Sequence, residues 1–203
     1  PLHPLFQNNP AHCSPYSPTS RCLLNTIYID VQQVPYFEQL PELKALITSD
    51  DFTKTLQHAK QSTLIDYPAV AHITQQALTL LFDYFYHHDL PEKSNFAIEY
   101  QEFKSKNLED LTQLALFEAL YEHFRTINSD VYGWTQWPEE YKSPNSSAVK
   151  TFAKAHEQRI EYFIYLQWLA HRQLTDVANT AQQAGMPIGL YLDLAVGCDG
   201  SGV

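Results

Sequence analysis

The chain has 203 residues, 13 basic side chains against 23 acidic ones, and a formal net charge of −10. A composition of 44% apolar, 13% aromatic and 18% charged residues excludes an intrinsically disordered chain and supplies enough apolar surface for a sizeable core. The acidic balance, with no block of Lys and Arg, argues against nucleic acid or an anionic membrane surface as partner, and no apolar run reaches the ~20 residues of a spanning helix.

Three zones follow one another along the chain: 1–33, 34–154 and 155–203. In the first, Pro1-Leu2-His3-Pro4-Leu5-Phe6 reads as the exit of a strand. Pro10, Pro15 and Pro18 bar both a helix and a central strand, so 7–24 is expected to be an ordered loop. Ile27-Tyr28-Ile29-Asp30-Val31 is β-branched and aromatic, and predicts a short extended segment.

The second zone reads as helices. Ser49-Asp50-Asp51 is an N-terminal signal for a helix to about Gln61. Pro68 suits a helix start, and 69–88 carries Val70, Ile73, Ala77, Leu80, Leu81, Tyr84 and Phe85 at steps of three and four. Leu108 to Phe124 repeats the pattern. A connecting stretch, 130–144, holds Trp134 and Trp137, which read as core or edge packing or as platforms for a sugar face.

The third zone opens with one long helix, His156 to Ala184, whose centre from Tyr162 to Ala170 is apolar nearly all round and should be buried on several sides. Gly185 is the expected left-handed stop. Ile188 to Val196 is a mostly apolar run of strand length, as in a parallel strand covered on both faces. The pattern suggests one β–α–β crossover with a large helical insert.

Self-sufficient chemical motifs are scarce. Neither G-x-x-x-x-G-K-[ST] nor G-x-G-x-x-G occurs, and His156-Glu157 lacks the second histidine of a zinc pair, because position 160 is Ile160. His87-His88-Asp89 reads as a solvated helix end, and Asp199-Gly200-Ser201-Gly202 as a tight turn rather than a calcium loop. Cys13, Cys22 and Cys198 have no metal-ligand spacing and read as reduced thiols of a cytoplasmic protein. The carboxylates of 34–154 read as solvated faces.

Two places rise above this background. Cys13-Ser14-Pro15-Tyr16-Ser17-Pro18-Thr19-Ser20-Arg21 sets hydroxyls, a phenol and a guanidinium on a proline-stiffened loop. Such a loop suits a polyhydroxylated ligand, and equally a rigid surface turn. Asp193 places a carboxylate inside an apolar strand, where a buried charge is costly unless paired or functional.

Ser14 to Arg21, followed by Leu24-Asn25 and Ile27 to Val31, resembles the signature loop of the 4-α-glucanotransferases of the amylomaltase type, glycoside hydrolase family 77. Tyr165-Leu166-Gln167-Trp168-Leu169-Ala170 with Gln173-Leu174, Ile188-Gly189-Leu190-Tyr191 with Asp193-Leu194-Ala195-Val196-Gly197, Phe117-Glu118-Ala119-Leu120 and Trp137-Pro138-Glu139 are similar to further stretches of that family. The resemblance implies an α/β fold, a portion of a (β/α)8 TIM barrel from the end of its second strand to its third. The helices of 34–154 would form a subdomain beside the cleft. It places Ser14 and Tyr16 on a glucan-binding wall and Asp193 at the third-strand position that organises the catalytic site. Many relatives have arginine at the position of Leu192.

The implied reaction is a retaining double displacement that moves α-1,4-glucan segments between malto-oligosaccharides, without metal or organic cofactor, in the cytoplasm of maltose and glycogen or starch metabolism. Its carboxylates belong to R-I-D-H, E-D-L-G and H-D motifs on later strands, expected beyond Val203. R-I-D-H and E-D-L-G do not occur here, and the lone His88-Asp89 pair is the helix end already noted. The chain begins with Pro1 and has one methionine, Met186. The expectation is therefore an interior slice of a larger enzyme, inactive alone and partnered by the rest of its barrel. The competing expectation is a non-catalytic glucan-binding or helical interaction module.

Overall fold

A computed structural model describes residues 2–9, 13–106 and 108–202. Pro1, Pro10 and Val203, which the sequence reading used, lie outside them. The helices run α1 (Pro41–Ile47), α2 (Asp50–Gln61), α3 (Tyr67–Tyr84), a π-helical turn (Phe85–Asp89), α4 (Leu90–Glu92), α5 (Asn95–Lys106), α6 (Leu108–Ile127), α7 (Ser147–Ala155) and α8 (Glu157–Gln183). Their starts follow local chemistry. Ser49 caps α2 by accepting from the Phe52 amide at 3.3 Å. Asp66 caps α3 by accepting from Ala69 at 3.0 Å, with Pro68 in the first turn, where its missing N–H is no loss. Gly185, at φ +76, closes α8 in the left-handed region.

The core sits around α8, which packs along α6 and also meets α3, α5 and α7. Every residue from Ile164 to Ala170 is buried, as the all-round apolar run predicts. Phe85, Tyr100, Tyr165 and Trp168 stack there with ring centroids 4.9 to 6.5 Å apart. Each such side chain adds roughly 1.5–3 kcal/mol by leaving water. Trp137 is buried against Phe117 and Phe124, and Trp134 packs at the core's edge, so both tryptophans serve packing.

Three expectations change. The segment 27–31 is not one extended run: Thr26–Tyr28 and Val31–Gln33 form single-turn 3-10 helices, with extended backbone at Ile29 and Asp30 between them. Asn25 accepts from the Ile27 amide and Asp30 from the Gln32 amide, and these local side-chain caps outweigh β propensity. His87 and His88 are exposed, but Asp89 turns inward and accepts from the Tyr36 hydroxyl at 2.8 Å, because the π-helical turn shifts the facing of the helix end. The run Ile188–Val196 is not covered on both faces. Ile188, Tyr191, Leu192, Leu194 and Val196 are all exposed. Among the described residues strand pairing is limited to single bridges, parallel Leu2–Leu192 and antiparallel Phe6–Leu24.

The non-helical N-terminal zone is fastened to α8 by two glutamines. The Gln167 amide oxygen accepts from Leu24 N and its nitrogen donates to Leu24 O, both at 2.9 Å. One and two-thirds turns later, Gln173 does the same with Asp30, at 2.8 and 2.9 Å. Gln167 is buried, so its substitution by leucine strands two backbone groups. We expect Gln167→Leu to lower stability by about 2–4 kcal/mol, and Gln173→Leu, with an exposed clasp, by less than about 1 kcal/mol. Urea denaturation midpoints of the two variants check this ranking.

Candidate functional site

Loop 13–21 is built as a polar shelf. At its base, segment 5–7 lies beside 23–25: Gln7 N donates to Leu23 O at 2.8 Å and Asn25 N to Leu5 O at 2.8 Å. Asn8 donates to Ser14 O at 2.6 Å, and Ser17 N closes a turn on the same oxygen at 3.1 Å. The turn leaves Ser14 and Tyr16 facing solvent. Pro18 and Ser20 are buried beneath, so the loop's prolines and hydroxyls are divided between support and surface.

The other side of the shelf is the C-terminal run. The Tyr16 hydroxyl donates to Asp193 Oδ2 at 3.0 Å, across 177 positions of sequence. Asp193 Oδ1 accepts from the Leu194 amide at 2.8 Å. Asp193 is exposed, which corrects the expectation of a buried charge: the run that carries it meets the rest of the chain along one edge. Hydrogen bonding to the Asp193 carboxylate, and then its negative charge, raises the Tyr16 phenol above its ordinary value, so it stays a neutral donor. Ser14, Tyr16 and Asp193 thus share one surface, with Tyr16 and Asp193 in direct contact.

Further contacts hold the two sides together. Arg21 donates to Val196 O at 3.1 Å and the Asp199 amide to Pro18 O at 2.8 Å. The Tyr132 hydroxyl donates to the Asp199 carboxylate, which with burial pushes that phenol up to about 12. Residues 199–202 form a tight turn, as read from the sequence, with Gly202 N donating to Asp199 O at 3.1 Å. A Cβ on Gly202 would stand 2.0 Å from Thr19 O, so only glycine permits this approach. The sequence reading did not single out Arg21–Val196 or Tyr132–Asp199. No periodicity links such distant residues.

Behind the shelf lies a cavity of about 550 Å3 between segments 7–9 and 25–27 and helices α3, α6 and α8. Its polar wall includes Glu118, Glu122, Arg125, Gln75 and His72. Arg159 grips Glu122 with two bonds, at 2.6 and 2.5 Å, while stacking 4.0 Å over Tyr162, and Gln75 donates to the same carboxylate at 2.9 Å. Asn9 donates to the Tyr121 hydroxyl at 2.5 Å. Among the described residues no group of three or more His, Cys, Asp or Glu is placed to hold a metal ion. Glu118 departs from the solvated carboxylates expected of 34–154. Burial, and then the nearby Glu122 charge, push its carboxyl up to about 7, against a smaller opposing pull from a Gln7 hydrogen bond.

The folded chain therefore binds the Glu118 proton more tightly than the unfolded chain, whose carboxyl titrates near 4.5. Its contribution favours folding most below that value and is lost as pH rises from about 4.5 to about 7. Glutamine keeps the acceptor and removes the titration. We expect Glu118→Gln to be more stable than the parent at pH 8, by about 1–3 kcal/mol, and nearly equal to it at pH 4. Thermal melting at the two pH values decides this.

A family profile described as 4-alpha-glucanotransferase matches residues 1–203. The 4-alpha-glucanotransferase of Haemophilus influenzae is 30% identical over 199 residues, covering 97% of this chain and 28% of the relative. That of Mycobacterium tuberculosis is 30% identical over 208 residues, covering 100% of this chain and 27% of the relative. The crystal structure of amylomaltase from Corynebacterium glutamicum superposes with a TM-score of 0.71 and 25% identity, over 98% of this chain and 25% of that one. The chain thus spans little more than a quarter of the relatives it matches. Because the match runs from Pro1 to Val203, through the shelf and the helical layer alike, the chain belongs to the 4-alpha-glucanotransferase family, glycoside hydrolase family 77.

Proposed function

We propose that loop 13–21 and Asp193 form one wall of the glucan cleft of a 4-α-glucanotransferase, and that this wall orders a malto-oligosaccharide for transfer. The observation that carries this reading is the Tyr16–Asp193 contact at 3.0 Å. It fixes the phenol at its hydroxyl and leaves the ring, 57% exposed, open to the apolar face of a sugar. Ser14 stands in the same turn as a hydroxyl partner for sugar oxygens.

On this reading the C-terminal run and the Leu2 segment are parallel neighbours in a (β/α)8 barrel, and residues 34–154 are the helical subdomain flanking its cleft. The parallel Leu2–Leu192 bridge and the exposed apolar side chains of 188–196 support it, since the remaining strands would cover them. The protein acts in the cytoplasm, and among the described residues no helix is long and apolar enough to cross a membrane.

The transfer proceeds by two displacements with carboxyl groups supplied by sequence outside this chain. A carboxylate attacks the anomeric carbon while a carboxylic acid protonates the departing glycosidic oxygen. The 4-hydroxyl of an acceptor glucan then attacks the same carbon, releases the carboxylate and returns its proton to the acid/base group. The residues of this chain bind and orient; they exchange no proton with the reacting atoms.

The full-length gene product should convert maltotriose into glucose and longer malto-oligosaccharides, while the 203 residues alone should not. Transfer by the isolated chain would overturn the assignment of the carboxylates, and glucan binding without transfer by the gene product would favour a binding module. In the gene product, Tyr16→Ala should raise KM for maltotriose about tenfold, equivalent to ~1.4 kcal/mol, with Tyr16→Phe in between. Unchanged steady-state kinetics for Tyr16→Ala would remove the residue from the cleft.

A further inference from the structure

Asn8 and Asn9 are consecutive and both buried, at the point where the chain leaves segment 5–7 for the shelf. A buried side-chain amide needs partners for its oxygen and its nitrogen. Asn8 finds both on backbone: its oxygen accepts from the Asn9 amide at 2.8 Å, and its nitrogen donates to Ser14 O at 2.6 Å. Asn9 reaches across the cavity to the helical layer, where its side-chain nitrogen donates to the Tyr121 hydroxyl of α6 at 2.5 Å. Arg125, four residues further along α6, donates to the same hydroxyl oxygen at 3.2 Å. The Tyr121 ring lies parallel to that of Phe117, with centroids 6.3 Å apart, and α6 itself packs along α8. The hydroxyl is therefore a fixed acceptor on a rigid element.

We propose that Tyr121 is a positioning residue for Ser14 and Tyr16, acting through Asn9 and Asn8 and touching no sugar itself. The kinetic consequence rests on the glucan reading; the hydrogen bonds are a property of the free protein.

Ser14 O is the end of this series, and it is also the oxygen on which the Ser17 amide closes the turn that presents Tyr16. The turn is thus tied to α6 across 112 positions of sequence, independently of its tie to Asp193. The bonds act in series, so each is useful only while the others stand. Phenylalanine at 121 keeps the ring and its stacking and removes only the acceptor. The Asn9 side chain then loses that acceptor in a buried setting, where a lost hydrogen bond is costly. As the Asn9 side chain turns to seek another, it displaces the backbone N–H that holds Asn8, and Asn8 releases Ser14 O.

The test uses the full-length gene product with Tyr121→Phe, Asn9→Ala and the two combined. Hydrogen exchange of peptides covering 13–24, without ligand, reads the turn directly, and peptides covering 50–61 of α2 report general loosening. We expect exchange over 13–24 to quicken about fivefold in each single variant and by no more in the double variant, with 50–61 within about twofold of the parent. With maltotriose, KM should rise about fivefold in all three, while kcat stays within about twofold. Unchanged exchange over 13–24 in Tyr121→Phe, or equal quickening over 50–61, would overturn the proposal. So would KM effects that multiply to about twenty-fivefold in the double variant, since the two residues would then act separately. If the parent transfers no maltotriose, the glucan reading fails, and exchange alone decides the positioning role. If Asn9→Ala does not fold, Tyr121→Phe alone decides by exchange and by the split between KM and kcat.

Discussion

The paired amides of Gln167 and Gln173 are the constraint on which the rest of the site depends. Between Leu23 and Val34 the chain makes one isolated bridge, Phe6–Leu24, and two 3-10 turns, so most of its peptide groups need partners from elsewhere. Leu24 and Asp30 are six residues apart, and so are Gln167 and Gln173 on α8. Each glutamine matches one peptide unit, donor to acceptor and acceptor to donor. A helix rises about 9 Å over six residues. The two clasps therefore fix the length and the direction of the N-terminal segment on the core. Segment 5–7, loop 13–21 and the Tyr16–Asp193 contact all take their position from Leu24 and the residues beside it.

This arrangement divides the labour between apolar and polar contacts. Rings around Tyr165 and Trp168 make α8 rigid, and its polar side chains then act as fixed ligands for the loop. A side chain locked by packing loses less freedom when it forms a hydrogen bond than an exposed one, so the clasp retains more of its favourable energy. The same logic holds at Glu161. Lys104 and the Tyr100 hydroxyl meet its carboxylate at 2.6 and 2.5 Å, tying α5 to α8 through groups already shielded by the core. Burial and the Glu161 charge raise the Tyr100 phenol well above its ordinary range, which keeps it a donor.

The helical layer was legible because its signals are local. Caps at Ser49 and Asp66 and the three–four spacing of apolar residues act within a turn or two. The site was legible in composition but not in geometry. Ser14, Tyr16 and Asp193 stand out as polar residues in stiff or apolar surroundings, yet their meeting is set by a bridge between opposite ends of the chain. Gln167 carried an unread signal: one amide inside a run buried all round requires a buried partner. Glu118 carried another. Counting from Leu111 through Leu114 and Ala115, it is in register with the buried residues of α6 and stands half-buried in the cavity wall rather than on the solvated face. The expectation of one extended segment over 27–31 fails for the opposite reason, since Asn25 and Asp30 outweigh the β-branched residues through bonds to backbone amides two residues on.

The shelf itself shows why proline-rich sequence suits this position. Its described prolines, Pro15 and Pro18, narrow the unfolded ensemble, so less entropy is lost when the loop is set. Proline stiffness alone does not choose a direction, because a stiff loop hinged at Gln7 and Leu23 could still swing as a unit. Direction comes from contacts at its far edge: Tyr16 on Asp193, Arg21 on Val196 O, and Asp199 N on Pro18 O. Those contacts sit on a run whose large apolar side chains, Ile188, Tyr191, Leu192, Leu194 and Val196, are exposed. Whatever orders residues 188–202 therefore orders Tyr16 as well, and the cleft wall is coupled to the packing of the C-terminal run before any sugar arrives.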